Sequence, residues 1–514
     1  MLERMLTVAV FLFFFWPAQA ATIFVPDNQP TLQDAINAAV DGDTVIVRPG
    51  TYLETVNFGP SGVPKAIKVK SERGPAVTTI DGGQSDHVVS FISGEGLNSV
   101  LEGFTVTNGK SGIYCRSSSP SIIKNIITGN KTFFDGGGIV CIYSNANIVG
   151  NIISGNEAYY SGGGIDCHSA SPSIVHNFIS ANRAFEYGGG GIYCYASASP
   201  IIFDNIITGN VADDYGGGVY CRDGSSPGII NNIIARNKAS YIGGGICCRE
   251  GSSPSITNNK VSENFSDSFG GGIACRDTSS PRISNTTIYR NRASTRGGGI
   301  YTYKGSTSLT NTICYDNSSP SGSEIYVESG DPPVSYCNVK GGWPGLGNID
   351  ADPLFANPLY GDFHITWNSP CRNSGNDSYV TMLTDFEGDP RIHDGRVDMG
   401  ADEFYPHLYS FGDVVPGGSF SLRIIGTPST PAILALGSGV QDPPSSTLYG
   451  DLYLQLPLLQ TIFLGPIPPE GLRHLTVSVP SSWIPGEEKP MQALCGLLGS
   501  PGSVLTNLLV LTVQ

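Results

Sequence analysis

Between residues 111 and 302 the chain keeps returning to one phrase. DGGGIVC ends at Cys141, SGGGIDC at Cys167, GGGGIYC at Cys194, YGGGVYC at Cys221, IGGGICC at Cys248 and FGGGIAC at Cys275. KSGIYC precedes them at Cys115 and RGGGIYT follows at Thr302. The steps are 26, 26, 27, 27, 27, 27 and 27 residues. A second phrase rides on the same period: PSIIKNIITGN from Pro120, PSIVHNFISAN from Pro172, PIIFDNIITGN from Pro200 and PGIINNIIARN from Pro227, with PSITNNKVSEN and PRISNTTIYRN from Pro254 and Pro281. Each period therefore holds two or three Ile- and Val-rich runs, too short for helices, separated by Gly, Ser, Asn and Pro. Such a unit has no partner for its own apolar side. Copies stacked in parallel supply one, giving a coil of β-strands with one repeat per turn and turns about 4.8 Å apart.

Stacking lines up like residues. In GGGIxC the Ile and Cys are two apart and share one side of a strand. We assign them inward as Ile139/Cys141, Ile165/Cys167, Ile192/Cys194, Val219/Cys221, Ile246/Cys248 and Ile273/Cys275, with the intervening residue outward. In the second phrase Ile at the third position and an apolar residue at the eighth flank an Asn at the sixth. The odd spacing breaks the strand phase, so a bend is expected there. Asn125, Asn151, Asn177, Asn205, Asn232 and Asn259 should stack inside it as an amide ladder. The Gly triplets would make the sharp return into the Ile–Cys strand.

Of 514 residues, 66 are Gly, nearly twice the usual share of about 7%. Gly does not recur every third residue, which excludes collagen, and 40% hydrophobic content excludes a disordered chain. With 29 basic and 44 acidic side chains the net charge is −15. That balance, without basic blocks, excludes nucleic acid as a partner. Residues 1–20, MLERMLTVAVFLFFFWPAQA, read as a signal peptide: Arg4, an apolar run from Leu6 to Trp16, and the small-x-small site Ala18-Gln19-Ala20. The apolar run is shorter than the ~20 residues a membrane span needs. The mature chain is thus expected to start at Ala21, to be secreted or held at the cell surface, and to be a monomer with no transmembrane segment.

An exported chain with 12 Cys ordinarily points to disulfides. Residues stacked about 4.8 Å apart fit poorly to the shorter Cβ separation of a bridge. The file from Cys115 to Cys275 is therefore read as buried free thiols. A Cys337–Cys371 bridge stays open as an alternative.

The opening segment TIFVPDNQPTLQDAINAAVDGDTVIVRPGTYLETVNF (residues 22–58) and the rungs VTTIDGG and SVLEGFTVTNG complete a pattern. It resembles the right-handed parallel β-helix proteins of the pectate-lyase type. In those proteins a short amphipathic helix caps the first coil; here it would run from about Thr31 to Val40, with Leu32, Ile36 and Val40 on one face. The stretch from Gly341 to Phe404, with DFEGDPRIHDGRVDMGADEF, resembles the closing segment of repeat-rich bacterial surface and secreted proteins. The resemblance implies an all-β fold: a right-handed parallel β-helix solenoid over 21–405 with an N-terminal capping helix. Residues 406–514, rich in Pro, Gly and Leu, read as a small C-terminal β-sandwich of about seven strands. The resemblance fixes no activity, because the same fold carries lyases, hydrolases, esterases and non-enzymes. The Gly-His-Gly and Arg-Ile-Lys motifs of polygalacturonases and the Gln-Asp-Thr motif of pectin methylesterases do not occur. Gly50-Thr51-Tyr52-Leu53-Glu54 resembles a Gly-x-Tyr-x-Glu element that esterases share with many non-esterases.

Function should therefore be sought on the outer faces. The loop before each Gly triplet carries an aromatic: Phe134, Tyr160, Tyr187, Tyr215, Tyr241 and Phe269. Tyr193 and Tyr220, like Tyr114 and Tyr301, hold the x position of GGGIxC. A file of rings offers flat faces for sugar stacking; equally, it would clamp neighbouring turns. The same loops hold Asp135, Glu157, Glu186, Asp213, Asp214 and Asp267, while Arg222, Arg249 and Arg276 follow the Cys file, with Arg116 and His168 at equivalent points. Asp213, Asp214 and the three arginines are candidates for a charged groove, or form a compensating surface lattice. No metal ligand set or cofactor is read from these residues, although the carboxylates would suit Ca²⁺. The acids between Asp385 and Glu403 would stabilise the end of the coil, with the same ion, or carry an activity. The reading that follows is a non-catalytic protein binding a polysaccharide or cell-envelope glycan, or a structural surface protein. The alternative is a lyase or glycosidase acting on an acidic glycan.

Overall fold

The computed structural model describes residues 20–405 except 394, and beyond them the backbone of ten strands between His407 and Thr512. The signal peptide reading falls, but for Ala20, outside the described residues.

One turn shows how the repeat folds. Ile206–Thr208 is followed by Val211–Ala212, then Val219–Cys221, then Gly228–Ile230, and Ile233–Ala235 begins the next turn above Ile206–Thr208. Repetition builds four parallel sheets. The first has 13 strands, from Thr22–Val25 to Val334–Ser335; the second has 11, from Val56–Asn57 to Ile325–Ser329. The third has 12, from Gly50–Leu53 to Asn338–Val339, and the fourth is seven two-residue strands from Lys131–Thr132 to Arg292–Ala293. Register follows the sequence repeat: Cys115, Cys141, Cys167, Cys194, Cys221, Cys248, Cys275 and Thr302 sit opposite one another in succession. All these cysteines are buried and free, as are Cys337 and Cys371, so the bridge left open above is not formed. Burial pushes the Cys115 thiol well above its ordinary range.

The bends are where the spacing put them. Lys124, His176, Asp204 and Asn231, each just before a ladder asparagine, have φ of 52°, 54°, 53° and 57°. The next residue then turns its amide inward. Asn177 Nδ2 and N–H both donate to Asn205 Oδ1, at 3.0 and 2.8 Å, and Asn205 does the same to Asn232. A second ladder, which the sequence reading did not separate from the first, runs through Asn130, Asn156, Asn182, Asn210, Asn237, Asn264, Asn291 and Asn317. It ends on Glu324, whose carboxylate accepts from Asn317 N–H at 3.2 Å and from its amide. Each ladder satisfies buried backbone groups that a corner would otherwise orphan.

The N-terminal helix spans Leu32–Ala38 and is capped by the Thr31 hydroxyl. Leu32, Ala35 and Ile36 enter the core, whereas Val40, expected on the same face, is 59% exposed because the helix ends before it. Glu54 of the Gly-x-Tyr-x-Glu element accepts from the Leu32 and Gln33 N–H groups at 3.0 and 3.1 Å. Its place here is at a helix start, where a carboxylate is favoured. At the other end, the segment 341–405 folds back over the third sheet. Asn258 Nδ2 donates to Thr384 O at 2.9 Å, Ala401 N–H to Thr287 Oγ1 at 3.0 Å and Gly400 N–H to Asn311 O at 2.8 Å. Beyond 405 the strands pair antiparallel: His407–Phe411 with Ser419–Ile425, that strand with Leu472–Ser478, and Pro431–Leu436 with Gln460–Pro466 and Glu488–Cys495.

Candidate functional site: the outer face of the second sheet

The x residues of GGGIxC point away from the core but do not reach solvent as expected. Val140, Asp166, Tyr193, Tyr220, Cys247, Ala274 and Tyr301 follow one another in register and are all buried. The loops before the Gly triplets lie over them.

Those loops carry two columns of residues where the sequence reading expected one aromatic file. The position next to the triplet is occupied by Asp135, Ser161, Gly188, Tyr215, Ile242, Phe269 and Arg296, with Ser161 through Arg296 joined by successive parallel bridges. Phe134, Tyr160, Tyr187 and Tyr241 stand one residue earlier, farther out. Tyr215 and Phe269 therefore turn down onto the sheet, with ring centroids 5.4 Å from Tyr220 and 4.9 Å from Tyr301. Together with Ile242 they cover Tyr220, Cys247, Ala274 and Tyr301 in a small exterior core. Where the inner column holds Asp135, Ser161 and Gly188, no large side chain of that column packs onto the sheet, and clefts lie between the outer rings and the buried sheet residues.

Two adjoining clefts of about 310 and 300 Å³ occupy this half. Both reach Asp135, Asp166 and His168; one extends past Phe134 to His87 and Tyr114, the other past Tyr160 and Tyr187 to Tyr193, Tyr195 and Arg222. The walls are aromatic: His87 stacks on Tyr114 at 4.2 Å, Tyr160 on Tyr187 at 5.8 Å, and Tyr193 on Tyr195 at 5.9 Å. Phe134 and Tyr187 are 69% and 46% exposed, so their rings face solvent. At the floor, burial holds Asp166 well above the usual carboxylate range, with Asp135 adding repulsion. Burial likewise raises Asp135, against hydrogen bonds from Ser161. Burial lowers His87. The arrangement offers ring faces along the axis and a pair of carboxyls that resist ionisation.

Of the other residues singled out from sequence, Arg222 lines the cleft while its Nε donates to Glu250 at 2.8 Å. Arg249 binds Asp277 at 2.9 Å and lies 4.5 Å over the Tyr215 ring; Arg276 lies 5.1 Å over Tyr303. Asp213 pairs with Arg183 at 3.0 Å, and burial, then Asp213, raises Asp214. These charges are thus engaged one turn on rather than gathered in a single groove. Asp166 was missed from sequence. Its signal is that the x column is otherwise apolar or aromatic, so one acid there departs from the repeat.

Residues 210–339 match the family described as right handed beta helix region, and residues 36–241 match the family described as periplasmic copper-binding protein (NosD). With the parallel sheets in register, this makes the chain a right-handed parallel β-helix repeat protein. No curated protein matches it.

Proposed function

We propose that this is an exported protein that binds an extended polysaccharide along the outer face of the second sheet, in the cleft between Tyr114 and Tyr195. The observation that carries this reading is the half of that face where Asp135, Ser161 and Gly188 leave an aromatic-walled cleft parallel to the coil axis. Rings spaced one turn apart suit successive sugar rings of a polymer. Export is supported by the leader-like residues 1–20 and by the periplasmic description of the NosD family. The copper in that description is said of that family. Among the described residues of the matched stretch 36–241, no three His, Cys, Asp or Glu side chains bring ligand atoms together.

The test is affinity electrophoresis of the full chain against a panel of neutral and acidic polysaccharides. Tyr160→Ala with Tyr187→Ala removes two partly exposed rings and leaves the core intact. Stacking of about 0.5–1.5 kcal/mol per ring, about 1–3 kcal/mol for the two, predicts a loss of affinity of roughly 5- to 150-fold. Retention by no polysaccharide, or retention that the double variant does not change, overturns the reading. The Asp135–Asp166 pair favours one second reading, glycoside hydrolysis with Asp166 as the acid. Release of reducing ends that Asp166→Asn abolishes would put hydrolysis in place of simple binding.

A further inference from the structure

We propose that His364, Glu387 and Asp402 form a binding site for one divalent transition ion of the zinc class, where the closing segment lies against the third sheet. Their Nε2 and carboxylate oxygens lie within 4.8 Å of one another, the one such convergence of three potential ligands among the described residues.

His364 and Asp402 are each held by one atom and turn another toward the cluster. His364 Nδ1 is hydrogen-bonded to Asp362 Oδ1, which orients the ring and leaves Nε2 to face the other two acids. That carboxylate–imidazole arrangement is the usual second layer behind a metal-bound histidine. Asp402 Oδ2 accepts the Ile365 N–H at 3.0 Å. Its Oδ1 is buried and accepts no hydrogen bond, and it looks across 3.6 Å at Nε2. The Asp402 side chain is only 3% exposed, and a carboxylate oxygen so buried is costly unless something positive meets it. Glu387 Oε2 closes the triangle at 2.7 Å from Nε2.

The spacing needs adjustment, since the three atoms lie within 4.8 Å of one another. Metal–ligand distances of about 2.0–2.2 Å place tetrahedral ligands roughly 3.3 Å apart. The His364–Asp402 separation already fits, and Glu387 must draw back by a few tenths of an ångström. Glu387 is the least enclosed of the three, its side chain being 26% exposed, and the same opening would admit water as a fourth ligand. The charges agree. Three carboxylates, Asp362, Glu387 and Asp402, meet one ammonium, Lys260, 3.5 Å from Glu387. One nitrogen with two carboxylate oxygens selects a zinc-like ion over Ca²⁺, which takes six to eight oxygens.

The experiment is equilibrium dialysis of the full chain against Co²⁺ and Zn²⁺, followed by metal analysis. One equivalent is expected, with Co²⁺ giving visible ligand-field bands that Zn²⁺ displaces. Glu387→Gln should abolish uptake while the melting curve and circular dichroism stay native, because its partly exposed position tolerates a neutral isostere. His364→Gln is the second variant; if it unfolds, Glu387→Gln still decides. No stoichiometric uptake, uptake unchanged in Glu387→Gln, or equal uptake of Ca²⁺ overturns the proposal and leaves a buried ion-pair network only.

Discussion

Glu324 shows what one residue does to a structure made of columns. The second asparagine ladder passes hydrogen bonds upward until Asn317, whose amide and N–H need an acceptor in a place with no further Asn. Glu324 supplies it at the cost of burying a carboxyl, and that burial pushes its pKa from 4.5 to about 7. A raised folded-state value means the neutral form is favoured in the fold. The stabilisation is therefore complete below about pH 4.5 and is lost as pH rises through 7. The shift is worth about 3 kcal/mol above pH 7. Glu324→Gln, which keeps an acceptor without the charge, should melt higher than the parent at pH 8 and equal to it at pH 4. Parallel pH slopes for the two proteins in thermal melts would refute this. The sequence made the first ladder legible because its Asn breaks a strand phase. The second Asn sits at a phrase end, after Gly in three of its eight copies, where it reads as ordinary turn chemistry. Glu324 was invisible for a different reason, since its partner is seven residues away across a loop that departs from the repeat.

At the scale of the element, the turn is fixed by residues that look interchangeable and are not. Gly217, in the middle of its triplet, has no room: a Cβ there would sit 2.4 Å from Lys238 O of the next turn. Gly209 has open space but a φ of 63°, and its counterpart one turn earlier, Ala181, is held at 52°. The two substitutions Gly217→Ala and Ala181→Gly should therefore have opposite signs. The first forces adjacent turns apart and should cost several kcal/mol, as overpacking against backbone does. The second relieves a left-handed alanine and should gain about 1 kcal/mol. Denaturant melts of the two variants check both; a neutral Gly217→Ala would mean the turns are not in contact as described. The same reasoning explains what could be read of the candidate site. The repeat placed the loops and their rings on one face. It did not tell which ring turns down, because that depends on whether the residue beside the triplet is Tyr215 or Gly188, a difference of one position in a loop whose aromatic content is the same.

At the scale of the whole molecule, the parallel sheets and their registers were legible because periodicity is a property of sequence alone. The fold-back of the closing segment was not. Outward residues of the third sheet, Ile152, Phe178 and Ile206, are exposed, whereas Lys260, Thr287 and Ile313 in the same column are buried, and nothing in the repeat marks the change. The summed charge of −15 bears on the choice of ligand. That sum covers the whole chain; at the cleft floor Asp135 and Asp166 resist ionisation and add little to it, while Arg222 at the cleft edge is already bound to Glu250. A polyanion approaching this face meets repulsion that reaches about 30 Å at 0.01 M salt and about 10 Å at 0.1 M. Ring stacking on a neutral polymer carries no such penalty. Binding of a neutral polysaccharide should then be indifferent to salt between those concentrations, and any binding of a polyuronate should be weaker at the lower one. Isothermal titration at the two salt levels distinguishes the cases. A polyuronate that binds tightly at low salt and is released by added salt would mean that paired arginines, rather than the aromatic walls, make the site.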